Sequence, residues 1–242
     1  MKNNISLLSE FQELYNRRPI VDNSGGMKSP HLFAVYSWLS EMKPDVIIES
    51  GVWKGLGTWF MRQICPSSKI VCLDIDYSNL AYRDKNATYH NCDITQLNIK
   101  SFIGDTDINK VLVFFDDHQN FNQRLDLLLE SGLKHVIYED NYPMGQGDCI
   151  SPKKILEFNK TQSTMQDKVF NMSIGESRRV ESHISHYEEF APIFRDVTTR
   201  WNTPWLYETP TPFLEEDSKL EYSSLFSERL DYTWICRMEL SR

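Results

Sequence analysis

Short runs of consecutive hydrophobic residues alternate with amphipathic stretches through the first 140 residues of the chain. Strands covered on both faces of a sheet show such continuous runs, whereas helices place apolar residues three and four positions apart. The runs predict strands at 46–48, 70–73, 111–115 and 136–138. The helical spacings, together with an N-cap and proline at Ser29-Pro30 and a stop at Gly132, predict helices at 4–17, 29–44, 58–64 and 121–130.

Strand and helix alternate from about residue 45 to residue 140, an order typical of βαβ units with right-handed crossovers and a parallel sheet. We therefore expect one α/β domain over 1–242, with N-terminal helices over 1–44, a core over 45–142 and a C-terminal elaboration over 143–242. The pattern is weaker in this last part. It predicts a helix from residue 152, a charged helix over 176–190, an ordered covering loop over 201–213 and a late sheet strand over 232–240.

The charge balance indicates which classes of partner the chain can attract, and the cysteines indicate its cellular compartment. With 26 Lys and Arg against 34 Asp and Glu, the chain has a formal net charge of −8 and offers no long-range attraction to nucleic acid or an anionic membrane. No apolar run approaches the ~20 residues of a membrane span, and the first residues lack a signal-peptide apolar block. The five scattered cysteines are typical of reduced thiols. We expect a cytoplasmic protein with a small-molecule or sugar partner; a homo-oligomer is compatible with these features.

Residues 49–58, with the sequence ESGVWKGLGT, form a glycine-rich turn between the first strand and the helix that follows it. Such a turn lets a ligand approach the backbone closely, and the amides at the helix start can donate to an anionic group. The spacing G-x-x-x-G-x-G differs from the dinucleotide fingerprint G-x-G-x-x-G. The preceding acid, Glu49, would repel a phosphate but could pair with a cationic ligand such as a sulfonium; a turn without a ligand is the alternative interpretation.

The pattern E-x-G-x-x-x-G-x-G resembles motif I of the class I S-adenosylmethionine-dependent methyltransferases. The resemblance covers roughly residues 27–142 and implies a Rossmann-like, doubly wound, mainly parallel sheet. It implies that the cofactor is held by the motif residues Glu49, Gly51, Gly55, Gly57 and Thr58. Asp74 matches the family's acid that holds the ribose hydroxyls, with Asp76 as the alternative. Asp93 matches the acid that binds the adenine amino group, although Asp-Ile-Thr is also a common capping turn.

Two polar clusters follow the predicted strands at 111–115 and 136–138, namely Asp116-Asp117-His118 and Glu139-Asp140-Asn141. Adjacent parallel strands bring both clusters to the carboxyl edge of the sheet, where ligands of open α/β sheets bind. Carboxylates so close together raise one another's pKa unless a cation lies among them, and oxygen ligands suit a hard ion such as Mg²⁺. As ordinary strand-end acids and a histidine in a local ion pair, however, the same residues would need no metal.

These clusters resemble those of the metal-dependent O-methyltransferases, including the macrocin and rhamnosyl O-methyltransferases and the cephalosporin hydroxylase-like group. The resemblance implies Asp116, Glu139 and Asp140 as metal ligands, with Asp117 or Asn141 as alternatives. It predicts Mg²⁺-assisted, S-adenosylmethionine-dependent O-methylation of a hydroxyl on a sugar, glycan or small natural product. A metal-dependent hydrolase or other non-methyl chemistry, and a non-catalytic nucleoside-binding scaffold, are the competing hypotheses.

The predicted general base is His118, whose ordinary pKa lies nearest to neutral pH, with Asp117 as the alternative. Three further segments have both a functional and a purely structural interpretation. Residues 25–31 would fold over the cofactor or substrate, or form a plain turn and cap. His183 and His186 would bind a transition metal or lie on a solvated helix face. The aromatic residues Trp201, Trp205, Tyr207 and Phe213 would line an acceptor pocket or cover a sheet edge.

Overall fold

The computed structural model describes residues 4–164, 167–196, 198–205 and 208–241, with only the backbone described for Asn4, Ile5 and Glu216. Within these ranges the strands are β1 (Val46–Ser50), β2 (Lys69–Leu73), β3 (Thr88–His90), β4 (Val111–Phe115), β5 (His135–Tyr138), β6 (Ile184–Glu189) and β7 (Cys236–Leu240). They form one seven-stranded sheet in the order β3-β2-β1-β4-β5-β7-β6. The first five strands are parallel to one another, and β7 is antiparallel to both of its neighbours. The predicted α/β class and mainly parallel sheet are confirmed.

The helices of the described ranges are α1 (Asn4–Asn16), α2 (Ser29–Met42), α3 (Leu56–Ile64), α4 (Ile99–Ile103), α5 (Phe121–Ser131), α6 (Pro152–Thr161), α7 (Ile174–Ser182) and α8 (Ser223–Phe226). Short 3₁₀ turns lie at Ile94–Gln96, Ile108–Lys110, Glu216–Lys219 and Arg229–Asp231. None of these helices combines the length and the apolar composition needed to cross a membrane.

Hydrophobic side chains pack on both faces of the sheet, so the sheet is doubly wound as predicted. Along β4, Phe114 points into a core built with α1, α2 and α3. Its neighbour Phe115 points to the opposite face, into a core that includes Phe121 of α5 and Ile155 of α6. Successive side chains of a strand face opposite ways, and every residue of β4 is buried, which explains the continuous apolar run in the sequence.

The predicted helix over 176–190 is wrong in its second half. A capping box at Ser173 and Glu176 begins α7, which ends at Ser182, and residues 184–189 then form the edge strand β6. This strand pairs with β7 through long-range backbone hydrogen bonds, and that tertiary pairing outweighs the helical appearance of a highly charged segment. The late strand is confirmed, but it begins at Cys236 and not at Tyr232.

Candidate functional site

The strand register places the predicted site residues side by side at the carboxyl edge of the sheet. Ser50, the last residue of β1, is in register with Leu73 of β2 and Phe115 of β4, and Phe115 is in register with Tyr138 of β5. The residue that follows each of these strand ends therefore reaches the same edge. The glycine turn, Asp74 and both acidic clusters lie there together, in the place where open α/β sheets bind ligands. The two clusters, residues 116–118 and 139–141, are here called the acidic edge.

Glu49 of the glycine turn lies inside the protein, with 1% of its surface exposed. Its carboxylate accepts hydrogen bonds from Thr58 Oγ1 at 2.5 Å and from Cys72 Sγ at 3.4 Å. Burial raises the pKa of Glu49 to about 7, and these hydrogen bonds only partly oppose the effect. A Cβ on Gly57 would come within 2.7 Å of the Glu49 carboxylate. The hydrogen bond from Thr58 to Glu49 thus joins α3 to β1, and Gly57 leaves room for the Glu49 carboxylate.

The other two glycines of the turn are required by the close approach of neighbouring backbone. Gly51 and Gly55 have φ of +91° and +90°, which L side chains rarely adopt. A Cβ on Gly51 would lie 1.8 Å from the carbonyl oxygen of Asp116, and one on Gly55 would lie 2.2 Å from that of Tyr82. Of the predicted motif residues, only Gly51 borders the cavity in front of the turn. The other four motif residues do not line that cavity and instead support the turn that borders it: Glu49, Gly55, Gly57 and Thr58.

A cavity of about 290 Å³, here called cavity A, lies in front of β1, β2 and β4. Its walls include Gly51, Trp53, Asp74, Cys92 and Asp93. Both acids that were predicted to hold the nucleoside therefore face the same space. Three residues that follow β4, Asp116, Asp117 and His118, close the cavity on that side.

Asp74 is oriented by the backbone of the glycine turn. Its Oδ2 accepts hydrogen bonds from the amides of Val52 at 2.8 Å and Trp53 at 3.0 Å, and its Oδ1 accepts one from the amide of Asp76 at 3.0 Å. The carboxylate of Asp76 is exposed and accepts from the amide and hydroxyl of Ser78. Asp74, and not its predicted alternative Asp76, lines cavity A.

Asp93 and Asp117 are joined by Arg124, a buried arginine of α5 with 3% of its surface exposed. Arg124 donates to both oxygens of Asp93, at 2.9 and 2.6 Å, and to Asp117 Oδ2 at 2.8 Å. Burial acts to raise the pKa of Asp93, but the hydrogen bonds from Arg124 and Thr95 outweigh it and lower the pKa to about 2. Asp93 also caps the 3₁₀ turn through the amide of Thr95 at 2.8 Å, as the capping interpretation expected.

Sequence reasoning missed Arg124, although one signal was available. The buried stripe of α5 consists of Phe121, Leu125 and Leu128, and Arg124 lies in the same stripe. A charged residue in an apolar stripe indicates a buried partner of opposite sign. For Asp117, burial raises the pKa, while Arg124 and the hydroxyl of Ser50, which donates at 2.7 Å, act in the opposite direction.

A second cavity of about 400 Å³, here called cavity B, lies beyond β4 and β5. Its walls include Lys28, Tyr142, Asp148, Arg200, Trp201 and Asp231. Gly25, Asp116 and His118 border both cavities, so cavities A and B adjoin each other at the acidic edge. Within segment 25–31, Gly25 borders both cavities.

The aromatic residues of the predicted covering loop separate into two groups. Trp201 borders cavity B and stacks on Trp234, with 6.4 Å between ring centroids. Trp205 packs against Tyr232, and Phe213 packs in the core. Tyr207 lies outside the described residues. Only Trp201 of the described members is therefore in place to contact a molecule in cavity B.

The acidic edge contains a group of three residues that could hold a metal ion. Ligand atoms of Asp116, His118 and Asp140 all lie within 4.8 Å of one another. Burial, reinforced by the charge of Glu139, raises the pKa of both Asp116 and Asp140 well above the usual range. Asp140 Oδ1 is buried and has no hydrogen-bond partner within the described residues. This donor set, with an unsatisfied buried oxygen, fits a divalent cation.

The two remaining predicted ligands have other partners. Glu139 Oε1 accepts a hydrogen bond from His31 Nδ1, and Glu139 is not a member of the three-residue group. Burial acts to raise the pKa of Glu139, but the interaction with His31 outweighs it and the pKa is lowered. Asn141 uses both ends of its amide, accepting from the Lys153 amide and donating to the Tyr187 hydroxyl, each at 2.9 Å. Sequence reasoning did not identify His31 as the partner of Glu139.

His118 lies at the boundary of the cavities with 49% of its side chain exposed. Its amide donates to Asp140 Oδ2 at 2.9 Å, and its Nδ1 lies 3.1 Å from Asp148 Oδ1 and 3.3 Å from Asp140 Oδ1. Burial acts to lower the pKa of His118, but the two carboxylates outweigh it and the pKa is raised. His183 and His186, at the start of β6, belong to no metal-binding group among the described residues.

Comparisons with known proteins bear on the fold. No protein-family model matches the sequence, and no curated protein matches it. The tRNA (m1A58) methyltransferase TrmI from Aquifex aeolicus is similar with a TM-score of 0.51 and 8% identity, covering 96% of this chain and 76% of TrmI. The O-methyltransferase TomG from Streptomyces achromogenes, solved with SAM and involved in tomaymycin synthesis, has a TM-score of 0.50 and 8% identity, covering 98% and 90%.

A third similar structure is the apo form of CmcI-N160, with a TM-score of 0.46 and 14% identity over 67% of this chain. The chain spans 61 to 64% of the length of the three CmcI structures that it matches. TrmI and TomG are both methyltransferases by name, and their similarity extends over nearly the whole of this chain. The chain therefore has the methyltransferase fold that the glycine motif predicted.

Proposed function

We propose that this chain binds S-adenosylmethionine in cavity A and transfers its methyl group to a hydroxyl oxygen of a small molecule in cavity B. The observation that carries the proposal is that the two cavities adjoin at Asp116 and His118, at the carboxyl edge of a methyltransferase-like sheet. A methyl donor on one side of this boundary and an acceptor on the other would face each other across the acidic edge.

Cavity A has the features that a nucleoside cofactor requires. Asp74 projects its carboxylate from the end of β2 and is fixed by three backbone amides, so it suits the ribose hydroxyls. Asp93, fixed by Arg124, is the predicted partner of the adenine amino group. When bound, S-adenosylmethionine supplies a methyl carbon on a sulfonium, which is a good leaving group. The work of the chain is to align the acceptor oxygen and exclude water, and alignment alone can contribute roughly 7–11 kcal/mol.

Cavity B supports the proposal of a sugar or a small hydroxylated natural product as the acceptor. Its volume of about 400 Å³ lies within the usual range of roughly 300–1,000 Å³ for small-molecule sites. The indole of Trp201 offers a flat apolar surface on which a ring can lie. Lys28, Arg200, Asp148 and Asp231 supply both donors and acceptors for hydroxyl groups.

The acidic edge supports the proposal that a divalent cation takes part. Asp116 and Asp140 would hold the ion, and its charge would stabilise the negative charge that develops on the acceptor oxygen. Of the two bases predicted from the sequence, Asp117 is ion-paired to Arg124, which suits a role in positioning Arg124. Of these two residues, only His118 borders both cavities.

Calorimetric titration with S-adenosylhomocysteine tests the cofactor site. We expect the wild-type chain to bind, and Asp74→Ala to weaken binding by about tenfold or more, because a charge-assisted hydrogen bond contributes about 1.5–3 kcal/mol. Asp76→Ala is the matched control: it removes a neighbouring exposed carboxylate outside cavity A, and we expect wild-type affinity. No heat with the wild-type chain, or equal losses in both variants, would overturn the assignment. Mass spectrometry of candidate acceptors incubated with S-adenosylmethionine then tests methyl transfer.

A further inference from the structure

The proposed cation site contains a nitrogen donor as well as carboxylates. We infer that His118 binds the metal together with Asp116 and Asp140, in place of Glu139, and that the site prefers a first-row transition-metal ion to Mg²⁺. The inference takes one premise from the proposed function, namely that a cation binds at the acidic edge. It changes the ligand set and the class of ion that the sequence predicted.

The first observation is the distance between the donor atoms. Two ligands that are each about 2.1 Å from one ion, at tetrahedral or octahedral angles, lie about 3.0–3.4 Å apart. His118 Nδ1 and Asp140 Oδ1 are 3.3 Å apart, and a carboxylate oxygen of Asp116 lies within 4.8 Å of a ligand atom of each of these residues. The pair of His118 and Asp140 therefore already has the spacing of two ligands on one ion, and Asp116 lies next to them.

The second observation is that one buried carboxylate oxygen at this point lacks a hydrogen-bond donor. Asp140 Oδ1 is buried in a side chain that is 1% exposed, and it accepts no hydrogen bond within the described residues. Asp116 lies beside it and borders both cavities. A buried acceptor without a partner costs about 1–3 kcal/mol, and more when it is charged. A cation bound by Asp140 Oδ1 would remove this cost.

The third observation is that His31 engages one oxygen of the Glu139 carboxylate. The Thr233 amide donates to His31 Nε2 at 3.0 Å, so Nε2 is the acceptor nitrogen and Nδ1 carries the proton. His31 Nδ1 then donates to Glu139 Oε1. Both His31 and Glu139 are buried, so water cannot readily replace this hydrogen bond. The carboxylate that the family resemblance implied as a ligand is engaged with a histidine from α2.

The fourth observation is the backbone of His118, which adopts the left-handed conformation with φ of +53°. Few non-glycine residues do so, and such conformations persist where the surroundings enforce them. Here the His118 amide donates to Asp140 Oδ2, so the carboxylate that faces the imidazole also fixes the backbone that presents it. Asp148, the other neighbour of Nδ1, is an exposed side chain that an incoming ion can displace.

These donors determine which ions suit the site. Mg²⁺ takes oxygen ligands almost exclusively, whereas imidazole nitrogen favours Fe²⁺, Co²⁺, Zn²⁺ and, more weakly, Mn²⁺. A ring bound through Nδ1 carries its remaining proton on Nε2 and has no free lone pair. His118 therefore does not act as the general base when the ion is bound, and this replaces the role predicted from the sequence.

Pulsed electron paramagnetic resonance of the full chain loaded with Mn²⁺ tests the nitrogen ligand directly. We expect modulation from a directly bound ¹⁴N nucleus in the wild-type chain and its loss in His118→Asn. Asparagine is chosen because it tolerates the left-handed backbone at this position. Absence of Mn²⁺ binding, absence of nitrogen modulation in the wild-type chain, or modulation that survives His118→Asn would each overturn the inference.

Metal titrations by calorimetry separate His118 from Glu139. We expect His118→Asn to weaken Mn²⁺ binding by about tenfold or more and Glu139→Gln to weaken it by less than about threefold. A loss of Mn²⁺ affinity in Glu139→Gln equal to or greater than that in His118→Asn would show that Glu139 is the ligand.

S-adenosylhomocysteine titrations on the same samples distinguish the two proposals, because nucleoside binding without nitrogen modulation contradicts only the ligand set. Nitrogen modulation without nucleoside binding contradicts only the proposed function.

Discussion

Thr58 donates a 2.5 Å hydrogen bond from its hydroxyl to the carboxylate of Glu49, and this bond joins the end of β1 to the first turn of α3. Glu49 is fully buried, and burial raises its pKa to about 7. The acid of the glycine motif is therefore a structural partner of the helix start, which keeps the turn in the shape that borders cavity A. Its unusual pKa also makes the stability of the fold depend on pH.

Glu49→Gln tests that dependence. The folded state binds the Glu49 proton more tightly than the unfolded state, whose pKa is the ordinary 4.5, so the stability from this group is complete below pH 4.5. It is lost as the pH rises through about 7, for a total of about 3 kcal/mol at 1.36 kcal/mol per pKa unit. Urea unfolding at pH 4.5, 6 and 8 should show this decline relative to Glu49→Gln. Parallel pH profiles in the two proteins would contradict the assignment.

Arg124→Met should destabilise the chain strongly, because it leaves Asp93 and Asp117 as uncompensated charges in the wall of cavity A. Removing one partner of a buried ion pair costs about 3–5 kcal/mol. Arg179→Met removes an arginine of an exposed pair with Asp126 and should cost no more than about 1 kcal/mol. Urea unfolding of both variants measures the difference. Equal losses would mean that Arg124 is not the structural cation that its contacts indicate.

Gly51→Ala should abolish binding of S-adenosylhomocysteine, because a methyl group there would lie 1.8 Å from the Asp116 carbonyl and must push β1 and β4 apart. Gly104→Ala is the control, since Gly104 also has a positive φ, of +54°, but no atom lies within 4 Å of an added Cβ. The control carries the backbone strain of about 1–3 kcal/mol without the collision. Of the two variants, only Gly104→Ala should bind S-adenosylhomocysteine when folded samples are titrated by calorimetry. Binding by Gly51→Ala would show that the contact of β1 with β4 does not shape cavity A.

Asp140→Ala should leave binding of S-adenosylhomocysteine within about threefold of wild type, because Asp140 does not border cavity A. A chelator should likewise leave that affinity within about threefold in the wild-type chain, because the proposed ligands of the ion do not include Asp74 or Asp93, which we expect to hold the nucleoside. Both treatments should suppress methyl transfer once an acceptor is known, since each removes the cation from the acceptor side. A large loss of nucleoside affinity in chelator would instead place the cation inside cavity A.

Local pattern predicted most of the sheet and the position of the site. The apolar runs that became β1, β2, β4 and β5 were recognisable because both faces of these strands are covered, which leaves no polar position to interrupt them. The acids at the strand ends were recognisable because parallel strands end at one edge. The edge strands β3 and β6 were not recognised. β3 has only three residues, and the charged residues of β6 carry no period of their own, so that only pairing with β7 makes them a strand.

The sequence by itself therefore determined the fold class, the glycine turn and the edge at which the acids gather, since each depends on residues near one another in the chain. Tertiary structure alone decided what each acid contacts. Glu139 meets His31 from 108 residues away, and Asp93 meets Arg124 from 31 residues away. No local spacing encodes such pairs, because they form only when packing brings separate elements together. That packing turned the Glu49 carboxylate inward and left Asp116, His118 and Asp140 facing one point.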